Sequence, residues 1–98
     1  MEERDYLAEN AAYLKKDLGK NNISQNLFQR FKELITNGQL PAGYMMPNEN
    51  VVSEQLGIGR SKLREAYTAL AGFGFIRRSK AGTLVKDIAT IVNVAPFR

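Results

Sequence analysis

Ninety-eight residues leave room for one compact domain, and 44% apolar with 24% charged residues is the balance of a globular chain rather than a disordered one. The chain has neither cysteine nor histidine, which excludes a disulfide framework, thiolate or imidazole metal ligation, and nucleophile–base pairs built on those groups. Fourteen Lys and Arg against ten Asp and Glu give a net charge of +4, a mild bias toward polyanionic partners, and no apolar run approaches the ~20 residues of a membrane span.

Met1 is followed by Glu2, Glu3, Arg4 and Asp5, unlike a signal peptide, so the expected compartment is the cytoplasm. Residues 1–18 read as one amphipathic helix, because Leu7, Ala11, Leu14 and Leu18 recur at 4-3-4 spacing, and Gly19 ends it. Two heptads do not define a coiled coil, so the stripe fits the domain itself or a second subunit equally well. A second helix is expected from Ser24, as N-cap, to Asn37, with Leu27, Phe28, Phe31, Leu34 and Ile35 on one face and Gly38 at its end. Leu40-Pro41-Ala42-Gly43 fits a type I turn leading into the short extended run Tyr44-Met45-Met46, whose methionines read as core filler.

A third, short helix starts at the N-cap Asn48, buries Val52 and Leu56 and stops at Gly57. After Gly57-Ile58-Gly59 a fourth helix runs from Arg60 to Ala71. Leu63, Ala66, Tyr67 and Leu70 face inward at i, i+3, i+4, i+7, and Ser61, Arg64, Glu65 and Thr68 face out. Two helices joined by a tight glycine-containing turn form a helix-turn-helix. Residues 75–78 and 83–86 then read as two short strands around a basic tip, Ser79-Lys80-Ala81-Gly82. With neither Asn-Gly nor Asp-Gly at this tip, the hairpin loop is expected to exceed two residues.

The expected fold is mainly α with a small β-hairpin: a winged helix-turn-helix, three core helices plus a wing, with an extra N-terminal helix. Three segments follow: an amphipathic extension over residues 1–20, the winged domain over 23–87, and an apolar tail over 88–98 that docks on something. Charge follows the same division. Between Gly57 and Lys86 lie seven of the fourteen basic residues and a single acid, Glu65, a local balance of +6, whereas the first twenty residues sum to −1. Taken alone, a charge run is most often a solvated face.

From Ile23 to Asp87 the chain resembles the DNA-binding domain of the GntR family of bacterial transcriptional regulators. The resemblance is carried by an ordered series: Ile35-Thr36-Asn37-Gly38, Leu40-Pro41-Ala42-Gly43, Pro47-Asn48-Glu49, Leu56-Gly57-Ile58-Gly59-Arg60, Leu63-Arg64-Glu65-Ala66, Leu70, Gly74-Phe75-Ile76 and Gly82-Thr83-Leu84-Val85. It implies a cytoplasmic homodimer that regulates transcription by reading a palindromic double-stranded DNA operator. The fourth helix is expected in the major groove and the wing, residues 79–83, at the minor groove. Asn48 stands where the family commonly has serine or alanine. Asn50 stands where it has a DNA-contacting arginine, and Gly59 where a serine or threonine often caps the recognition helix. Members commonly continue into a larger effector-binding domain, and Val92-Asn93-Val94-Ala95-Pro96-Phe97 resembles the linker into the helical effector domain of the FadR-type branch. A small-molecule effector is expected only with such a domain.

Arg60 and Arg64 are the expected base readers, because a guanidinium can bond guanine O6 and N7 together; the bland alternative is a phosphate clamp, or a pair with Glu65. Ser61 and Lys62 sit where a helix N-terminus offers free N–H groups to phosphate, and Thr68 completes the outward face. Asn50 can bond a phosphate or a base edge, and Gly59 caps the helix without a hydroxyl. Lys80, Ala81, Gly82 and Thr83 match the family's minor-groove tip, although for Gly82 a turn needing positive φ is the simpler reason. Arg77 and Arg78 alternate on a strand, so at most one faces DNA.

No enzymatic activity, cofactor or metal is expected: Ser61-Lys62 and Ser79-Lys80 are sequence neighbours that cannot face each other as nucleophile and base. The competing reading is a protein-interaction module using the apolar N-terminal helix and C-terminal tail.

Overall fold

A computed structural model describes residues 5–16, 18–19, 21–80 and 82–87. Among the described residues five helices, α1 (Tyr6–Glu9), α2 (Ala11–Lys15), α3 (Ile23–Thr36), α4 (Glu49–Leu56) and α5 (Arg60–Gly72), accompany three strands, β1 (Met45–Met46), β2 (Ile76–Ser79) and β3 (Gly82–Val85). The fold is mainly helical, as the periodicities require, with a small antiparallel sheet in the order β1-β3-β2. Residues 88–98, and with them the apolar tail, lie outside the described residues.

The N-terminal segment corrects the expectation of one helix. It breaks at Asn10 (φ −108°, ψ 8°), whose Nδ2 donates to the Tyr6 carbonyl at 2.8 Å while its backbone N–H turns back to the Tyr6 and Leu7 carbonyls. An asparagine side chain competing for backbone groups in this way is a known cause of helix interruption. The apolar stripe survives the break: Leu7 and Leu14 are fully buried and Leu18 nearly so, all in the same core as α3, α4 and α5. The stripe therefore belongs to the domain.

Polar clamps from Tyr44 and Arg30 help to hold this segment. Tyr44 Oη accepts from the Leu7 N–H at 3.1 Å, and Arg30 donates to the Tyr13 and Lys16 carbonyls at the end of α2, its guanidinium 5.5 Å from the Tyr13 ring centroid.

The α3 start also differs. Ile23, packed on the core, begins the helix, and Asn22 precedes it in a left-handed conformation (φ 60°), so Ser24 lies inside the helix rather than capping it. Leu27, Phe31, Leu34 and Ile35 are buried, and Phe31 meets Tyr67 of α5 edge to face at 5.7 Å.

The following turn is displaced by one residue: Tyr44 N–H donates to the Pro41 carbonyl at 3.1 Å, with Gly43 at φ 90° in the third position. A positive φ there is the mark of a type II turn, which glycine makes accessible.

α4 and α5 follow their sequence signals. Asn48 accepts from the Val51 N–H at 3.1 Å, Gly57 closes α4 in the left-handed region (φ 68°), and Gly59 begins α5 in extended conformation. Leu63, Ala66, Tyr67 and Leu70 are buried, each at 1% exposure or less.

The hairpin loop corrects the sequence rule. Ser79 pairs with Gly82, so only positions 80 and 81 lie between the strands. The positive φ expected of Gly82 is present (φ 142°), at the first residue of β3. A Cβ there would come 3.0 Å from Met45 Sδ and 3.2 Å from the Met46 carbonyl, so β1 also requires glycine at this position. β1 was visible in sequence only as an extended run. It pairs Met45 with Leu84 and Met46 with Thr83, burying Met46 and leaving Met45 at 43% exposure. Among the described residues no helix is long and apolar enough to cross a membrane.

Candidate nucleic-acid interface

The outward face of α5 is laid out as its spacing demands. Ser61, Arg64, Glu65 and Thr68 line one shallow depression, and Arg60 and Lys62 are exposed at the first turn. That first turn contains no acid, and Gly59 supplies no side-chain cap. Its leading N–H groups and the positive end of the helix dipole thus face outward beside three polar or cationic side chains.

A cleft of 540 Å³ lies next to this face, lined by Asn48, Glu49 and Asn50 of the α4 start, Arg60, and Arg78, Ser79, Lys80, Gly82 and Thr83 of the wing. Three elements distant in sequence therefore meet at one surface. Arg60, Lys80 and Asn50 are exposed there, and Gly82 is half-buried against β1. Thr83 is only 5% exposed because β1 and β2 flank it, pairing it with Met46 and Arg78; its side chain is packed rather than presented. Ala81 lies outside the described residues.

Sheet register separates the two neighbouring arginines. Arg78 shares the Met46–Thr83 face, which is turned to the helices, whereas Arg77 pairs with Leu84 on the opposite face. Arg78 reaches across, donating through Nη1 to Thr68 Oγ1 at 3.1 Å and through Nη2 to Glu49 Oε2 at 2.7 Å. The other Glu49 oxygen accepts from Arg64 Nε at 3.2 Å. Arg60 Nη1 donates to Asn50 Oδ1 at 2.8 Å. Arg64 thus meets an acid fifteen residues earlier in the chain rather than its neighbour Glu65.

The sequence places Glu49 in the first turn of a helix and within the family series, and it puts Arg77 and Arg78 on opposite strand faces without saying which of them meets the cleft. Strand alternation was the available signal for Arg78. None existed for Glu49, whose two partners lie 15 and 29 residues away.

Beneath the interface the Tyr67 hydroxyl donates to Met46 Sδ at 3.7 Å. Burial, with a smaller contribution from the Glu49 carboxylate, pushes its ionisation far above the ordinary tyrosine range. This group stays neutral and acts as core.

The sequence profile of the gntR family of bacterial regulatory proteins matches residues 23–85. The HTH-type transcriptional regulator YcbG of Bacillus subtilis is 33% identical over 81 residues, covering 82% of this chain and 34% of its own length. The Glc operon transcriptional activator of Escherichia coli is 36% identical over 79 residues, covering 74% of this chain and 31% of its own. The chain therefore spans about a third of the length of these curated relatives. Among solved structures, YtrA of Sulfolobus acidocaldarius, a GntR-family transcription factor, is similar with a TM-score of 0.64 and 27% identity, over 78% of this chain and 83% of that one.

Proposed function

The chain belongs to the GntR family of bacterial regulatory proteins, and from that premise we propose that it is the operator-reading part of a transcriptional regulator, binding double-stranded DNA with α5 in the major groove and the wing at the minor groove. The observation that carries the proposal is the juxtaposition of Arg60, at the exposed start of α5, with Lys80 at the wing tip along one cleft. A helix fits the major groove of B-DNA, where base edges differ between all four pairs.

In this reading Arg60 and Arg64 contact bases. Ser61, Lys62 and the Gly59 end of the helix meet phosphate, as does Asn50, and Thr68 borders the groove. Lys80, Ala81 and Gly82 approach the minor groove, Thr83 contributing through its backbone. No catalytic step, cofactor or metal enters.

Two copies reading half-sites about one helical turn apart would recognise a palindrome. The stripe of α1 and α2 is buried within the chain and is not available to pair them, so the partner contact is assigned to residues other than this stripe. The same burial removes the N-terminal half of the protein-interaction reading. We place the chain in the FadR-type branch on the sequence of residues 92–97, and in the cytoplasm. Sequencing the gene downstream tests the branch: an all-helical effector domain supports it and any other fold defeats it.

Salt dependence tests the duplex reading. With roughly six phosphate contacts per site, log K should fall against log salt with a slope of about −5. A slope near zero would point to an apolar protein partner instead.

A further inference from the structure

Two consecutive residues at the start of α4 each hold one of the arginines assigned to base reading. Glu49 Oε1 accepts from Arg64 Nε at 3.2 Å, and Asn50 Oδ1 accepts from Arg60 Nη1 at 2.8 Å. Contact through Nε leaves the terminal Nη1/Nη2 edge of Arg64, the edge that matches guanine O6 and N7, uncommitted to the carboxylate. Arg78 differs, spending both terminal nitrogens on Thr68 and Glu49. It thereby fixes the Glu49 carboxylate, whose side chain is only 22% exposed, in front of Arg64.

The usual reasons for such a contact are weak here. Arg64 is 57% exposed, and a pair open to solvent adds little to stability. A carboxylate on a surface meant for phosphate repels it. What the contact does supply is order: arginine is rich in rotamers, and restricting it before binding removes a cost otherwise met on the DNA. Asn50 makes the same point from the other side. It occupies the position where the resemblance puts a DNA-contacting arginine, yet it carries no charge and its acceptor is turned to Arg60.

We propose that Glu49 and Asn50 are positioning residues that preset Arg64 and Arg60, so that base specificity depends on two side chains of α4 that need touch no base. The inference rests on the duplex-reading role proposed above. Glu49 acts through Arg64 with Arg78 as its counter-cation, and Asn50 acts through Arg60. Each should govern discrimination at one base pair.

The test takes an operator obtained by selection with the full chain and measures Kd by fluorescence anisotropy at one salt concentration. The duplexes are that operator, versions altered at the single pairs whose readout relaxes in Arg64→Ala and Arg60→Ala, and an unrelated sequence. Glu49→Ala should lower discrimination about 2- to 10-fold at the Arg64 pair alone, while binding to the unrelated duplex holds or tightens because a negative charge has gone. Asn50→Ala, an exposed change that leaves the core intact, should lower discrimination by a similar factor at the Arg60 pair, on top of a small uniform weakening on every duplex from the loss of its phosphate contact and without a lower melting temperature. Glu49→Gln, which keeps an oxygen acceptor for Arg64, should recover part of the loss.

Unchanged discrimination in both alanine variants overturns the proposal. So does a uniform loss at every position accompanied by a lower melting temperature, the result of a merely structural role. A wild-type chain that selects no operator defeats the duplex reading itself, and a wild-type motif with unaltered variants defeats only this inference.

Discussion

α4 and α5 both begin with a residue in extended conformation after a tight connection, yet they begin differently. At α4 the Asn48 side chain takes up the Val51 N–H and Glu49 places an acid in the first turn. At α5 Gly59 offers no side-chain cap, and the first turn carries Arg60, Ser61 and Lys62 with no acid. One start is satisfied by the protein. The other leaves its N–H groups and dipole for something outside, which suits a phosphate. The difference teaches where this small domain invests its polar groups: α4 is closed on itself so that it can hold α5 and its arginines in place.

The largest effect that would sharpen this contrast lies across the two faces of α5. Leu63→Ala removes a fully buried side chain and should cost about 2–5 kcal/mol of stability in chemical denaturation. Its neighbour Lys62→Ala, on the exposed face, should stay within about 0.5 kcal/mol of wild type while reducing the salt slope of DNA binding by about 1. A Lys62 variant with an unchanged slope would remove that lysine from the phosphate contacts.

A smaller effect separates the two helix starts. Asn48→Ala should lose about 1 kcal/mol by leaving the Val51 N–H unpaired, measured in the same denaturant titration. Gly59→Ser should gain only a few tenths of a kcal/mol, since the backbone there suits serine and a Cβ meets nothing within 4 Å. Equal and opposite changes would mean that the two starts are equivalent, and the contrast would fall.

The smallest effect is confined to alkaline solution. Tyr67 ionises above its ordinary value of 10.0 when folded, so the folded state holds the proton longer than the unfolded one. Stability from this group is complete below pH 10 and declines as pH rises toward the folded value. Melting temperature should therefore drop more steeply above pH 10 in the wild type than in Tyr67→Phe. Parallel curves would contradict the assignment.

What could be read from sequence was local. Asn48, Gly57 and Gly59 mark helix ends through backbone chemistry a few residues wide, and the 3–4 spacing of Leu63, Ala66, Tyr67 and Leu70 fixes which side of α5 is exposed. The break at Asn10 was hidden because its side-chain competition leaves the Leu7–Leu14 stripe intact. The pairing of the extended run at Met45–Met46 was hidden because two residues carry no alternation, and with it went the burial of Thr83 and the close approach of β1 that adds to the positive φ as a reason for glycine at position 82. The Glu49 contacts were hidden for the same physical reason: they join the start of α4, the outward face of α5 and a strand that only the folded topology brings together.

The central claim is direct readout of a duplex by α5, and selection from a random duplex library tests it most directly, with the wild type, Arg60→Ala and Arg64→Ala at moderate salt. The account predicts a short palindrome for the wild type and, in each variant, loss of discrimination at one defined position, worth about 1–3 kcal/mol. Recovery of no motif, or of a motif indifferent to both arginines, would contradict it.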